Sequence, residues 1–257
     1  PADGTITGLG SGNNSVLDQA GDFASGVADV HSKMIFTGTS GSHTFTATSA
    51  NSKTGTSGAV TINVGAATKL VITGSSPQTA GTTQDITITA KDSGGNTATS
   101  YTGDKSLTFS GANSSTSPAT APTVVDKDGN AVNFGTVTPI TFAAGQATVG
   151  SGKNGVMTLY KVESATISAT DGTISSSGGD RLSVTVNPGA LNKFAVSLAS
   201  PQTSGSAFTG TNTLTAQDSW GNTVSTFDAS ANHVTMTANP ADGTITGLGS
   251  GNNSVLD

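Results

Sequence analysis

The sequence predicts an all-β protein, and three observations support this class. Thr and Val dominate the ordered-looking stretches, whereas strong helix formers are few and Glu163 is the only glutamate, a composition typical of strands. Apolar and hydroxyl side chains alternate at residues 86–90 and 182–186, so every second side chain can enter a core. Turn residues separate these short stretches at the spacing of a β-sandwich. No stretch has an apolar period of about 3.6 residues, so we expect little helix.

An exact internal repeat organises the chain. The letters PADGTITGLGSGNNSVLD occupy residues 1–18 and return unchanged at residues 240–257, which sets a period of 239 residues. Chance does not produce such a match, and the period suits one or two whole domains. The chain is therefore predicted to be a stretch of a linear tandem array.

A weaker repeat divides each period into two homologous parts. Residues 69–81 resemble residues 193–205, with the shared letters SPQT near the middle of both. Later in the chain, TFAAGQATV at 141–149 resembles DFASGVADV at 22–30. Two related but dissimilar units are therefore expected to alternate along the array.

The predicted domain boundaries follow from this alignment. A complete sandwich, here called unit A, spans residues 67–188. The second type, unit B, is cut in two: residues 189–257 hold the N-terminal part of one copy, and residues 1–66 hold the C-terminal part of another. The linkers are short and Pro188 stiffens one of them, so we expect a semi-rigid string of domains.

Alternation and turn signals place the strands of unit A. The letters Asp128-Gly-Asn130 lie between two alternating runs and are typical of a tight hairpin turn. The predicted strands are residues 69–73, 85–91, 106–110, 123–125, 131–134, 137–142, 146–149, 156–161, 164–170 and 182–186.

Charge and composition disfavour several classes of function. The net charge is −6 and Arg181 is the only arginine, whereas nucleic-acid binding needs clustered cations. We therefore expect neither a nucleic-acid partner nor membrane contact by this segment. The absence of cysteine excludes disulfides. No GxSxG motif supports a hydrolase. A single glutamate also leaves little for the paired-carboxylate chemistry of glycosidases. The chain is predicted not to be an enzyme.

Two related stretches carry a family resemblance. DSGGNTATSYTG begins at Asp92 and DSWGNTVSTF begins at Asp218, each after a predicted strand. The pattern resembles the bacterial Ig-like (Big-type) tandem repeats of giant cell-surface adhesins and invasin-like stalks. This resemblance implies tandem Ig-like β-sandwich domains in a linear array and an extracellular or cell-surface location. It also implies neighbouring repeats as partners, with glycans or surface proteins bound at a distant tip, and no catalytic residues.

Turn residues form the first group of candidate sites. Calcium is the one cofactor considered, because Asp126, Asp128 and Asn130 have the oxygen spacing of a calcium loop but lack its later acidic ligand. The alternative is turn chemistry, in which Asp and Asn bond the local backbone and Gly supplies positive φ. Asp92 and Asp218, near the ends of the predicted domains, can also assist an ion at a domain junction. The structural turn residues are Asp92, Gly95, Asn96, Asp218, Gly221 and Asn222.

Aromatic and imidazole side chains form the second group. Trp220 stands where unit A has Gly94, so it is either an exposed residue that contacts a ligand or a cover for the domain junction. Zinc needs three or four converging ligands. The histidines His31, His43 and His233 are scattered along the sequence and are interpreted as surface imidazoles.

The sequence is compatible with three functions. The first is a structural spacer or stalk module in the shaft of a long, repetitive bacterial surface or fibre protein. The second is a β-sandwich module that binds glycans or proteins. In the third, the chain is one subunit of a head-to-tail filament, and the split unit B is completed by another polypeptide.

Overall fold

The computed structural model describes residues 4–11, 15–249 and 255–256. One 3-10 turn, Gly178–Asp180, is the only helical element within these ranges. The strands are β1 (Gly4–Thr7), β2 (Ile35–Gly38), β3 (Gly41–His43), β4 (Thr46–Thr48), β5 (Thr54–Thr56), β6 (Val60–Ile62), β7 (Lys69–Thr73), β8 (Gln78–Thr79), β9 (Thr83–Asp85), β10 (Thr87–Lys91), β11 (Gly103–Ser110), β12 (Thr123–Val125), β13 (Ala131–Asn133), β14 (Val137–Phe142), β15 (Gln146–Ala147), β16 (Val156–Thr158), β17 (Ser164–Thr170), β18 (Leu182–Asn187), β19 (Lys193–Ser197), β20 (Thr213–Gln217), β21 (Val234–Thr235) and β22 (Val255–Leu256). The predicted all-β class is confirmed.

Three sheets account for residues 69–187. Five strands pair in the order β14-β11-β17-β18-β8, three in the order β15-β10-β7, and four in the order β13-β12-β16-β9. Strand β18 alternates strictly between buried and exposed residues, as expected when one face of a sheet covers a core. The arrangement is consistent with a β-sandwich.

The core is shared by these three sheets. Phe142 packs edge-on against Tyr101, with ring centroids 4.9 Å apart. The Tyr101 hydroxyl donates a hydrogen bond of 2.6 Å to Asp171 Oδ2, and burial together with this carboxylate raises the pKa of Tyr101. The largest fully buried side chains are Phe109, Phe142, Leu70, Ile86, Ile88, Leu107, Ile140, Met157, Leu159, Ile167, Val124 and Val184.

One predicted strand is two strands in the structure. Alternation predicts a single strand at residues 85–91, but β9 ends at Asp85 and β10 begins at Thr87. Strand β9 pairs with β16, whereas β10 pairs with β7 and β15. Ile86 lies between them, and its N–H donates to the Gly155 carbonyl at 3.0 Å. The chain therefore changes sheets without losing its alternation, which is why the pattern does not reveal the break.

Burial divides the described chain sharply. Apart from Val224, every buried apolar side chain among the described residues lies between Leu70 and Val186. The large exposed apolar side chains lie mostly outside that range, in the segments before and after it. They are Val16, Phe23, Val27, Val30, Ile35, Val60, Leu191, Val196, Leu198 and Phe208, with Val137 and Val162 as the two inside it.

The exact repeat takes two different structures. Residues 4–7 form β1 and pair with β2, whereas the identical residues 243–246 lie outside any strand. Conversely, Val255–Leu256 pair with β21, whereas residues 16–17 are not in a strand. A strand exists only where another strand satisfies its backbone hydrogen bonds. Each copy of the repeat therefore forms a strand only where a neighbouring segment supplies the pairing strand.

Replacing Phe142 by Ala should lower the free energy of unfolding of the central sheets by about 3–5 kcal/mol, because it leaves a cavity in a closed core. Phe208 is 57% exposed, so Phe208→Ala should change the stability by no more than about 0.5 kcal/mol. Urea unfolding followed by far-ultraviolet circular dichroism measures both. Equal losses in the two variants would show that Phe142 stabilises the fold no more than the exposed Phe208 does.

Candidate functional site: the junction turns

The sequence Asp-x-x-Gly-Asn occurs three times, at residues 92–96, 126–130 and 218–222. The first and third occurrences follow β10 and β20, and the second joins β12 to β13. All three form a tight turn closed by the aspartate side chain. They differ in what the turn contacts, and this difference separates two junctions from an ordinary hairpin.

The aspartate holds each turn from inside. In the third occurrence, Asp218 Oδ1 accepts the backbone N–H groups of Trp220 and Asn222, each at 2.9 Å. Asn222 Nδ2 donates back to Asp218 Oδ2 at 2.8 Å. Gly221 has a φ of +81°, a conformation that glycine adopts without strain. The carboxylate thereby orients the asparagine amide toward the neighbouring segment.

At the junction before unit A, the first turn binds residues of the preceding segment. The N–H of Gly65 donates to Asp92 Oδ2 at 2.9 Å. Asn96 Nδ2 donates to the Gly38 carbonyl at 2.9 Å, and Asn96 Oδ1 accepts the Ser40 N–H at 2.9 Å. A single turn therefore fixes both the linker and the loop that follows β2.

The junction after unit A repeats this arrangement atom by atom. The N–H of Gly189 donates to Asp218 Oδ2 at 2.9 Å. Asn222 Nδ2 donates to the Tyr160 carbonyl at 2.7 Å, and Asn222 Oδ1 accepts the Val162 N–H at 2.9 Å. Both junctions thus have the same two contacts: the aspartate accepts an N–H of the linker, and the asparagine both donates to and accepts from one loop.

The linkers are also bound to the same strands at both junctions. The N–H of Thr68 donates to the Lys91 carbonyl at 2.8 Å, and the N–H of Asn192 donates to the Gln217 carbonyl at 2.8 Å. Lys91 and Gln217 end β10 and β20, one residue before each junction turn. Each linker is therefore held by its turn and by the strand that leads into it.

Trp220 lies at the second junction and is half-buried. Its ring is 5.6 Å from that of Tyr160, and a Cβ built at Gly81 would lie only 1.8 Å from the indole Cη2. The ring also borders an open cavity of about 310 Å³ together with Gly189 and Leu191. At the first junction Gly94 takes this place, and its backbone lies against the Gly38 carbonyl instead.

The second junction has further contacts to a loop of unit A. The Ser117 N–H donates to the Trp220 carbonyl at 3.3 Å. Lys193 Nζ donates to the Ser117 carbonyl at 2.9 Å. Contacts to both its backbone and its ring therefore hold Trp220 at the second junction.

The second occurrence of the motif is a hairpin turn. Asp126 Oδ1 accepts the N–H groups of Asp128, Gly129 and Asn130 at 2.8–2.9 Å. Asp128 pairs instead with Lys127 Nζ at 3.0 Å. Of the predicted calcium ligands, Asp126 and Asp128 thus bond within the turn, and Asn130 Nδ2 donates to Asp126 Oδ2 at 3.1 Å. Among the described residues, no three His, Cys, Asp or Glu side chains form a group that could hold a metal ion.

The histidines lie apart from the junction turns. His43 Nε2 is 2.9 Å from the Thr39 carbonyl oxygen, and its ring packs 5.1 Å from Phe36. His31 is exposed, and its backbone N–H donates to Asp29 Oδ1. His233 is also exposed.

Electrostatics keep the junction carboxylates ionised. Burial opposes the charge of Asp218, but hydrogen bonds from Asn222, Gly189 and Trp220 outweigh it and lower the pKa of Asp218. The pKa of Asp92 is lowered in the same way: burial opposes the charge, and donors on Asn96 and Gly65 favour it. An ionised carboxylate is the stronger acceptor, so the state that binds the linker is the one present at neutral pH.

Comparison with known proteins adds no identification. No protein-family model matches the chain, and no curated protein matches it. Among the described residues no helix is long and apolar enough to cross a membrane.

Replacing Asn222 by Ala should weaken the second junction by about 1–3 kcal/mol, because it leaves the Tyr160 carbonyl and the Val162 N–H without their partner. Trp220 is the only tryptophan, so its fluorescence reports on this junction directly. We expect a red-shifted emission and faster proteolysis of the linker at 188–192. Asn130→Ala is the matched control, since that turn joins two strands of one sheet. The assignment is wrong if both variants shift the emission equally.

Acid should open the second junction. Because the folded pKa of Asp218 lies below its unfolded value of about 3.9, its contribution is complete above that value and is lost as pH falls through the folded pKa. Trp220 emission should therefore be constant from neutral pH down to about pH 4 and shift below it. Asp218→Asn should show the shifted emission already at neutral pH. An emission independent of pH down to acid unfolding would exclude this role.

Proposed function

We propose that the chain is a structural spacer: a stretch of tandem Ig-like β-sandwich modules that holds a distant binding tip away from a bacterial cell. The observation that carries the proposal is the equivalence of the two junctions, in which Asp92 and Asn96 make the same contacts as Asp218 and Asn222. A module whose junction geometry is repeated along a chain propagates one orientation, which is what a shaft requires.

The path of the chain through unit A supports a linear array. Strand β8, close to the start of the unit, pairs in parallel with β18 at its end, with Gln78 opposite Val186. Parallel neighbours run in the same direction. The chain therefore enters at one end of the sheet and leaves at the other, so successive units extend a line instead of folding back.

The strength of each junction supports stiffness. Each turn offers a carboxylate acceptor to the linker, and hydrogen bonds to charged groups contribute roughly 1.5–3 kcal/mol each. The linkers run only from Ile62 to Lys69 and from Asn187 to Lys193 between strands. Short connections held at both ends leave little freedom for bending.

The cellular setting rests on sequence. The exact 18-residue repeat at a period of 239 residues and the stretches that begin at Asp92 and Asp218 resemble Big-type surface stalks. This resemblance supports a location outside the cell, in the shaft of an adhesin-like fibre. The acidic, arginine-poor and cysteine-free composition fits such a setting. Binding is assigned to another part of the array, and no catalytic role is proposed for this stretch.

Nuclear magnetic relaxation of backbone amides tests the stiffness. In the unsubstituted chain, amides of β7–β18 and of β19–β20 should report one common rotational correlation time, because a rigid junction makes them tumble together. The double variant Asn96→Ala/Asn222→Ala should give shorter and unequal times for the two groups. Asn130→Ala serves as the control and should match the unsubstituted chain. Independent tumbling in the unsubstituted chain would refute a stiff spacer.

A further inference from the structure

Exposed large apolar residues lie on both segments outside unit A, among them Phe23 and Val60 before it and Val196 and Phe208 after it. We propose that residues 189–239 of one chain dock on residues 19–66 of a second copy and close a sandwich with the strand register of unit A. The inference rests on the proposed function, since it takes the two segments to be halves of one repeating module. Within a longer array the same contact would be made by the adjoining repeat.

The N-terminal half reproduces the first strand pair of unit A. In unit A, β7 pairs with β10 so that Lys69 lies opposite Lys91 and Thr73 opposite Thr87. In the later segment, β19 pairs with β20 so that Lys193 lies opposite Gln217. The far end of that pair, Ser197 opposite Thr213, matches as well. The two hairpins therefore have the same register and length.

The C-terminal half reproduces the last strand pair. In unit A, β17 and β18 place Ala165 opposite Val184. In the earlier segment, β3 and β6 place His43 opposite Val60. Val60 precedes Gly65, and Val184 precedes Gly189, by the same number of residues. The tight turn before them also matches: a bridge joins Ala24 to Val27, as one joins residues 143 and 146 in unit A.

Burial shows what each half lacks. Phe142 is 1% exposed, whereas Phe23, its counterpart in the repeat, is 56% exposed. Val184 is 2% exposed and its counterpart Val60 is 41% exposed. On the other half, Val196 is 52% exposed at the position of the buried Ile72. Counterparts of core residues of unit A are therefore exposed on both halves. In unit A, the strands that correspond to one half cover the apolar residues of the other.

A free strand edge defines where the halves meet. In unit A, β10 pairs with β7 on one side and with β15 on the other, where Thr89 lies opposite Gln146. Strand β20 pairs with β19 alone among the described strands. The counterpart of Gln146 is Val27, and the counterpart of Thr89 is Thr215. The docked complex is therefore expected to place Thr215 of one copy opposite Val27 of the other.

The partner is a second copy because unit A separates the two halves within one chain. Gly65 and Gly38 bind its Asp92 turn, where the chain enters. The later half binds at Tyr160 and Val162, where the chain leaves. Each half is therefore held against unit A by its own junction, and head-to-tail contact between copies brings complementary faces together.

Engineered cysteines test this contact, because the full chain has none of its own. Thr89 and Gln146 follow the hydrogen-bonded pair in which the Ala90 N–H donates to the Gly145 carbonyl at 2.8 Å. The next pair is the narrow one in an antiparallel ladder, with Cα atoms close enough for a disulfide. The variant Thr215→Cys/Val27→Cys should therefore give covalent dimers and longer ladders on oxidation. Its control, Thr215→Cys/Lys53→Cys, places the second thiol in the exposed turn between β4 and β5 and should stay monomeric.

The outcomes separate the alternatives. Disulfides within single chains, no disulfides, or equal ladders in both variants would each overturn docking on a second copy. Sedimentation of the cysteine-free chain gives an independent reading: its mass should rise with concentration, and Phe23→Asp should reduce that rise. A monomer at every concentration would overturn the proposal. Amide relaxation of the Phe23→Asp variant measures stiffness with this contact weakened, so failure of docking and failure of the spacer role are distinguishable.

Discussion

The hydrogen bond from a linker N–H to a buried aspartate is the interaction on which the architecture depends. A carboxylate removed from water is costly unless donors surround it, and the Asp-x-x-Gly-Asn turn provides most of them locally. One oxygen of Asp218 still accepts the N–H of Gly189 from outside the turn. The charge is therefore fully solvated by protein only when the linker is in place, which couples closure of the turn to the position of the linker.

The asparagine converts that local turn into a directional contact. Its amide has a donor and an acceptor side, and Asn96 and Asn222 each use both on one loop of the neighbouring segment. Two opposed hydrogen bonds restrict rotation more than one does. Trp220 and Gly94 show how the two junctions then diverge: one fills the space with an indole ring, and the other brings backbone against backbone.

Much of the fold was accessible from sequence because alternation and turn residues act locally. The all-β class and most strands of residues 69–187 follow from them, and so do the positions of the three turns. The break between strands at Ile86 could not be predicted from sequence, because the chain can change sheets while its alternation continues. The role of the junction turns was half visible. Spacing identified Asp92, Asn96, Asp218 and Asn222 as turn residues, but their partners at Gly38, Gly65, Tyr160 and Gly189 are distant in sequence, so turn chemistry alone does not reveal them.

The exact repeat marks the boundary between what the sequence by itself determined and what tertiary structure decided. Sequence alone determined the 239-residue period and the turn chemistry, because these depend on letters and on local backbone preferences. Identical letters nevertheless form β1 at residues 4–7 and no strand at 243–246. Strand formation there depends on a partner elsewhere in the chain, since backbone hydrogen bonds across a ladder are satisfied only between segments that meet in space.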